Sequence, residues 1–133
     1  MRVIIDTNVI LSAILFPESI PAKLLEKITE NNEVVLTTYI IEELHNVFKR
    51  KFKNKIIFLE RFLSKFSYEL VHAPIVIEMD KYQYIRDKAD LPILVSAMIE
   101  EVDCIITGDK DFQVLTIEKP KIISSRDFYQ NYI

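Results

Sequence analysis

The sequence predicts an α/β protein, a three-layer sandwich with a central, mainly parallel sheet. Two observations favour this class. Short aliphatic runs, typical of strands buried on both faces, alternate with longer segments whose apolar residues recur at helical spacing. The 133 residues contain no repeat and no linker-like stretch, so a single domain is expected over residues 1–133. Strands that alternate with helices in one domain are typical of a parallel sheet covered by helices.

The amino-terminal half is predicted to contain two strands and three helices. The strands are residues 3–5 and the run EVVLT at residues 33–37. The first helix, PAKLLEKITENN, stops at an asparagine pair. The next one has Thr37 or Thr38 as a suitable cap and repeats apolar residues at Ile40, Leu44 and Phe48. The third helix is the segment KIIFLERFLSKF at residues 55–66.

The carboxyl-terminal half continues the alternation. Of YELVH and IVIEM, two short runs on either side of Pro74, at least one is expected to be a strand. LPILVSAMIEE is predicted to be a helix that tolerates Pro92 in its first turn. DCIIT and KIISS are predicted strands, the first leading to Gly108, which is the only glycine, and SRDFYQNYI is predicted to close the chain as a helix.

Composition excludes several classes of protein. Hydrophobic residues make up 50% and charged residues 28%, as in an ordered globular domain. The net charge of -3 argues against a nucleic-acid binder held mainly by its total charge. Cys104 is the only cysteine, so we expect a core residue in a reducing compartment. No apolar run reaches the roughly 18 residues of a membrane span, so a cytoplasmic location is expected.

Positive charge is concentrated in one block, KRKFKNK. Its five basic residues are Lys49, Arg50, Lys51, Lys53 and Lys55. Lysine and arginine are favoured at the carboxyl end of a helix by the helix dipole, so the block could be a solvated helix end. The alternative is a local patch that faces the phosphates of an RNA substrate.

Two aspartates follow predicted buried strands. Asp6 comes directly after the first strand, and Asp109 comes just past DCIIT. Either one alone could be a turn or helix-cap residue. Because ligands of parallel sheets collect at the carboxyl ends of the strands, we expect both carboxylates to face one crevice.

Further acids lie on or beside predicted helices. Glu42 and Glu43 differ in direction by about 100° on their helix, and only Glu43 falls at the margin of the apolar face, where it could line a cleft. Asp87 and Asp90 precede a helix, where a carboxylate is stabilised by the amides of the first turn. Asp90 is therefore either a simple cap or a member of the site.

This order of acids resembles that of the PIN domain, a family of small prokaryotic nucleases that includes toxins of toxin–antitoxin pairs. The motifs that carry the resemblance span nearly the whole chain and are DTNVILSA at residues 6–13, EEL at 42–44, DKADLPIL at 87–94 and TGDKDF at 107–112. The resemblance places the acidic site on Asp6, Glu43, Asp90 and Asp109, with Asp111 as an auxiliary acid and Asn8 and Thr107 as flanking polar residues.

The sequence departs from the family pattern at two places. Leu91 stands where some relatives carry a second consecutive acid, which leaves open whether one or two metal ions bind. Glu101 and Val102 stand where a glycine often ends the preceding helix, which should matter only to the loop.

Converging carboxylates repel one another unless a cation compensates their charge. Oxygen ligands without a histidine or cysteine cluster suit Mg²⁺ or Mn²⁺ rather than zinc, and His45 and His72 are isolated in the sequence. The resemblance thus implies a metal-dependent endoribonuclease, either the toxin of a pair with a small antitoxin or an enzyme of RNA processing or decay. Asp6 and Asp109 would bind the ion directly, Asp90 directly or through water, and Glu43 would hold a water ligand or a second ion.

Two other classes are considered. IIDTN could open a haloacid-dehalogenase-like or receiver-like phosphoaspartate domain, in which Asp6 is a nucleophile or a metal ligand, but Asn8 is not the second aspartate that such phosphatases usually show. The chain could also be a non-catalytic RNA-binding scaffold, against which the retained acids argue. A phosphoryl group trapped on Asp6 would indicate the first class, and RNA binding without cleavage the second.

The segment KIIFLERFLSKF has a wider apolar arc than is needed to cover one side of a small sheet. It comprises Ile56, Ile57, Phe58, Leu59, Phe62, Leu63 and Phe66. Such a helix is either clamped between other helices or shares its face with a second copy of the chain. Because small PIN toxins commonly pair, we expect a homodimer in which Phe58 or Phe62 points outward.

Overall fold

The computed structural model describes residues 1–73, 91–113 and 119–133. Their five strands form one sheet in the order β3-β2-β1-β4-β5, and every pairing is parallel. The strands are β1 (Arg2–Ile5), β2 (Glu33–Thr37), β3 (Glu69–Val71), β4 (Cys104–Ile106) and β5 (Lys121–Ile123). The predicted α/β class with a mainly parallel sheet is therefore confirmed. Strand β1 lies at the centre, with Ile4 paired to Val35 on one side and to Ile105 on the other.

Helices connect and flank the strands. They are α1 (Thr7–Leu15), α2 (Ile20–Lys27), α3 (Thr38–Lys51), α4 (Ile56–Lys65), α5 (Leu91–Ile99), α6 (Lys110–Gln113) and α7 (Ser125–Tyr132). Single 3₁₀ turns follow α2 at Ile28–Glu30 and α3 at Lys53–Lys55. The short helices α1 and α6 are absent from the sequence prediction, and the possible strand IVIEM lies outside the described residues.

Local sequence signals explain where the longer helices begin. Thr37, rather than Thr38, caps α3 by accepting a hydrogen bond from the amide of Ile40 at 3.1 Å. The hydroxyl of Thr38 instead accepts from the amide of Ala73 at 3.0 Å, which ties the chain after β3 to the start of α3. Ser19 and Ser124 cap α2 and α7 in the same way as Thr37.

The core lies between the sheet and the apolar faces of the helices. The central strand residues Val3, Ile4 and Ile5 are fully buried, as are Ile40 and Leu44 on α3. The free Cys104 is also buried, as the sequence predicts. Within the described ranges no single helix is long and apolar enough to cross a membrane; the bent pair Thr7–Leu15 and Ile20–Glu30 meets that criterion only jointly, with an angle of 101° between its parts.

Helix α4 shows which of its two candidate aromatic residues points outward. Leu59 is fully buried, and Phe62 is half-buried with its ring stacked on Phe66 at 4.8 Å between centroids. Of the two aromatic residues of which one was expected to point outward, Phe58 is the exposed one, and Phe62 is only partly exposed. The exposed large apolar residues of this helix are Ile57 and Phe58, which are 57% and 47% exposed.

Candidate active site

Asp6 lies at the junction between the central strand and α1. Its amide donates to the carbonyl oxygen of Ile106 at 2.9 Å, and its own carbonyl oxygen accepts from the amides of Val9 and Ile10. Its backbone is extended, as at a helix cap, but its side chain makes no capping hydrogen bond. The backbone of Asp6 therefore starts the helix, while its carboxylate is directed to another partner.

That partner is Thr107, the residue directly after β4. The Thr107 hydroxyl donates to Oδ2 of Asp6 at 2.8 Å and accepts from the amide of Asp109 at 3.0 Å. Thr107 is fully buried, and its own amide bonds to the carbonyl oxygen of Ile123 at 3.0 Å. One hydroxyl thus joins the two acids that follow the neighbouring strands β1 and β4.

Glu43 reaches the same place from α3. The buried face of this helix is formed by Ile40, Leu44 and Phe48, and Glu43 lies half-buried at its margin. Glu42 is exposed on another side of the helix. The helical phase read from the sequence therefore matches the structure, and Glu43 is the glutamate that turns toward Asp6.

A cavity of about 490 Å³ opens over these acids. Its walls come from the sheet edge and from α1, α3 and α5. The lining residues are Asp6, Asn8, Leu11, Glu43, Asn46, Val47, Arg50, Lys51, Ile93 and Asp109. Three of the four acids singled out by the sequence are brought together here.

The remaining predicted acids cannot be placed. Asp90 and Asp87 lie outside the described residues. The backbone of Asp111 belongs to α6, but its side chain also lies outside the described part of the structure. Asn8 is exposed at the start of α1 and lines the cavity, as expected for a flanking polar residue.

Burial dominates the electrostatics of Asp6, whose side chain is almost completely removed from solvent. Loss of hydration raises the pKa of the Asp6 carboxyl, and hydrogen bonds from the Thr107 hydroxyl and the Thr7 amide partly offset this effect. The negative charges of Glu43 and Asp109 raise the pKa of Asp6 further. A cation bound near ionised Asp6 would therefore be stabilised by the surrounding negative charge.

The chemistry of the donors, though not the spacing of those in the described part of the structure, suits a hard divalent cation such as Mg²⁺ or Mn²⁺. Asp6, Glu43 and Asp109 supply carboxylate oxygens to one cavity, and neither an imidazole nor a thiol lines it. Within residues 1–73, 91–113 and 119–133, no three acidic, histidine or cysteine side chains converge closely enough to hold an ion by themselves. His45 is turned away, with Nδ1 at 2.9 Å from the carbonyl oxygen of Ile41.

The basic block divides between two positions. Arg50 and Lys51 end α3 and line the cavity, so cations lie within the same depression as the acids. Lys49 lies in the same helical turn without lining the cavity, and Lys53 and Lys55 belong to the following 3₁₀ turn. All five side chains are exposed.

Four residues that line the cavity were not predicted as site residues from the sequence. Asn46 and Val47 lie three and four positions after Glu43, so the helical spacing that selects Glu43 also selects them. Leu11 and Ile93 come from two separate helices, and an apolar side chain carries no chemical signature that would mark it as part of a site.

Comparison with known proteins gives two findings. A family model described as PIN domain matches residues 2–111. The crystal structure of VapBC2 from Rickettsia felis bound to a DNA fragment from their promoter is similar to this chain, with a TM-score of 0.69 and 22% sequence identity. The similarity covers 93% of this chain and 98% of that chain, and at this identity it shows a shared fold. A comparison with curated proteins gave no match.

Proposed function

The chain belongs to the PIN-domain family, and on that premise we propose that it is a Mg²⁺- or Mn²⁺-dependent endoribonuclease, the toxin of a toxin–antitoxin pair. The observation that carries the proposal is the cavity in which Asp6, Glu43 and Asp109 lie next to Arg50 and Lys51. Carboxylates suit a divalent cation, and the cations suit the phosphates of a nucleic acid. A cavity with both can bind a phosphodiester and hydrolyse it.

The chain's own groups have distinct tasks in this proposal. Asp6 and Asp109 would hold the divalent ion, Asp90 would join them directly or through water, and Glu43 would hold a water ligand or a second ion. When bound, the ion makes hydroxide accessible near neutral pH and neutralises charge on the phosphate oxygens. Thr107 keeps Asp6 and Asp109 in a fixed relation, and Arg50 with Lys51 holds the strand beyond the scissile bond.

The proposal is tested by cleavage of a fluorescent single-stranded RNA. We expect the wild type to cut it internally in Mn²⁺, to stop when the ion is chelated, and to lose the activity in Asp109→Asn. Binding without cleavage would indicate the non-catalytic scaffold instead. Cleavage in excess chelator, or a phosphoryl group found on Asp6 by mass spectrometry, would overturn the metal-dependent mechanism.

We also propose a small antitoxin as partner. Support comes from an apolar groove of about 500 Å³ between α1, α2 and α4, lined by residues that include Ile14, Leu25 and Phe58. Two cations, Arg61 and Lys65, and one acid, Glu26, line this groove, so its positive excess suits a partner segment whose apolar side chains are flanked by acids. Purification with the product of a small adjacent reading frame tests this: we expect a stable complex that Phe58→Glu disrupts.

A homodimer is proposed through the exposed face of α4. Ile57 is more than half exposed and does not line the apolar groove. A substitution of Ile57 therefore tests the dimer contact without altering the proposed antitoxin site. A twofold contact would place this residue in both halves of the interface. We expect the wild type to sediment as a dimer and Ile57→Glu as a folded monomer; a wild type that is monomeric at high concentration would contradict the pairing.

A further inference from the structure

Helix α3 presents a graded surface to the active-site cavity. Glu43, Asn46, Val47 and Arg50 all line it, and their spacing of three, four and seven positions places them on one side of the helix. Glu42, on another side, does not line it. Along this surface an acid is followed by a neutral amide beside a valine, and then by a cation.

The dimensions of this surface match a short stretch of nucleic acid. At about 1.5 Å per residue, the backbone of Asn46 lies about 4.5 Å beyond that of Glu43 along the helix axis, and Arg50 lies about 10 Å beyond it. A strand that runs along this side of the helix, with one phosphate at the acids and a later phosphate at Arg50, would carry the intervening sugar past Asn46 and Val47. Asn46 is exposed, so its amide is accessible to such a sugar.

The chemistry of Asn46 suits one feature of that sugar. A carboxamide has two N–H donors and a carbonyl acceptor, and a ribose 2′-hydroxyl both donates and accepts a hydrogen bond. The neighbouring Val47 offers an apolar surface to the sugar ring, whereas Glu43 and Arg50 have only one type of hydrogen-bonding capacity when charged. Deoxyribose lacks the hydroxyl and would leave the Asn46 amide without this partner.

We propose that Asn46 is a specificity-determining residue that contacts the ribose 2′-hydroxyl of the nucleotide next to the scissile phosphate. The inference rests on the proposed ribonuclease function and adds to it the group that distinguishes RNA from DNA. Among the described residues that line the cavity, Asn8 is the other amide, but it lies on α1 rather than between Glu43 and Arg50.

The test uses a short RNA and a set of copies that each carry one 2′-deoxynucleotide. For the wild type in Mn²⁺, we expect one position near the cut at which the deoxy substitution lowers kcat/KM about three- to tenfold, the range of one neutral hydrogen bond. In Asn46→Ala this penalty should disappear, because the hydroxyl no longer has its partner. Glu42→Ala, a variant on the same helix outside the cavity, should keep the penalty.

Binding of the same oligonucleotides in chelator, followed by fluorescence anisotropy, separates the two proposals. If the wild type cleaves RNA and Asn46→Ala keeps the deoxy penalty, or Asn8→Ala alone loses it, the inference is overturned and the ribonuclease stands. If no cleavage occurs, the nuclease fails and with it the placement beside a scissile phosphate; loss of a preference for binding RNA in Asn46→Ala would then support only the contact with a ribose 2′-hydroxyl. If the wild type neither cleaves RNA nor prefers it in binding, both are overturned.

Discussion

The hydroxyl of Thr107 links Asp6 and Asp109, donating to the carboxylate of the first at 2.8 Å and accepting from the amide of the second at 3.0 Å. Both hydrogen bonds are short enough to fix geometry, and Thr107 is fully buried. Two acids from neighbouring strands are therefore positioned by one side chain. The hydroxyl proton of Thr107 is directed to Asp6. Thr107 is therefore a positioning residue for the two acids and not a hydrogen-bond donor to a phosphate.

We predict that Thr107→Val lowers both stability and cleavage. The variant keeps the side-chain shape but removes the hydroxyl, so Asp6 loses a hydrogen bond to its charged form and the Asp109 amide loses its acceptor. A buried hydrogen bond to a charged group contributes about 1.5–3 kcal/mol. Denaturant unfolding should show a loss of about 2 kcal/mol, and cleavage should require more Mn²⁺. Thr107→Ser retains the hydroxyl and should restore most of the activity; equal defects in the two variants would contradict the positioning role.

Asp6→Asn should abolish cleavage and raise the free energy of unfolding at neutral pH. Folding raises the pKa of Asp6, so the folded protein binds a proton more tightly than the unfolded chain does. The stabilisation from protonated Asp6 is present below the unfolded pKa and is lost as pH rises through the folded pKa. Asparagine stays uncharged at every pH and can still accept the hydrogen bond from the Thr107 hydroxyl. The variant therefore does not lose stability as the pH rises.

The measurement is unfolding of both proteins by denaturant across a pH series, without divalent ions. The variant should be the more stable one at pH 7, and the difference should shrink below about pH 4, where aspartate is protonated in either state. A variant that is less stable than the wild type at pH 7 would show that the charge of Asp6 is compensated in the folded protein.

Glu43 and Glu42 provide a matched pair on one helix. Glu43 lines the cavity and contributes to the raised pKa of Asp6, whereas Glu42 is exposed and does not line the cavity. We predict that Glu43→Gln lowers kcat/KM at limiting Mn²⁺ by at least tenfold and that Glu42→Gln leaves it within about twofold. Calorimetric titration with Mn²⁺ should likewise show weaker metal binding by Glu43→Gln than by Glu42→Gln. Equal effects of the two substitutions would contradict the placement of Glu43 in the active site.

Glu101 has a left-handed backbone conformation, with φ 53°. It follows α5, where the amides of Glu101 and Val102 bond back to the carbonyl oxygens of Met98 and Ala97, the pattern of a helix end that favours glycine. A side chain in this conformation costs about 1 kcal/mol relative to glycine. Glu101→Gly should therefore raise the free energy of unfolding by about that amount, with cleavage unchanged; a destabilised variant would show that the Glu101 side chain stabilises the loop.

The presence of Asp6 and Asp109 in one cavity was predictable, because each follows a buried aliphatic strand and parallel strands end at one edge of the sheet. That their strands are neighbours was not predictable, since strand order depends on how the intervening helices cross the sheet. Helix α1 escaped prediction because its run VILSAIL is apolar on nearly every side and shows no clear period. Which of Phe58 and Phe62 is the more exposed was not predictable for a related reason: a wide apolar arc does not reveal which of its edges another element covers.

The basic block should contribute unequally to RNA binding. Arg50 and Lys51 line the cavity, whereas Lys53 and Lys55 lie in the turn beyond it. Each phosphate contact of a single strand adds about 0.7 to the slope of log affinity against log salt, through release of counterions. We predict that the double variant Arg50→Gln, Lys51→Gln binds RNA more weakly and has a slope smaller by about 1.4, whereas Lys53→Gln, Lys55→Gln changes it by less than half as much. Anisotropy titrations at several salt concentrations measure both slopes, and an unchanged slope in the first variant would make the block a solvated helix end.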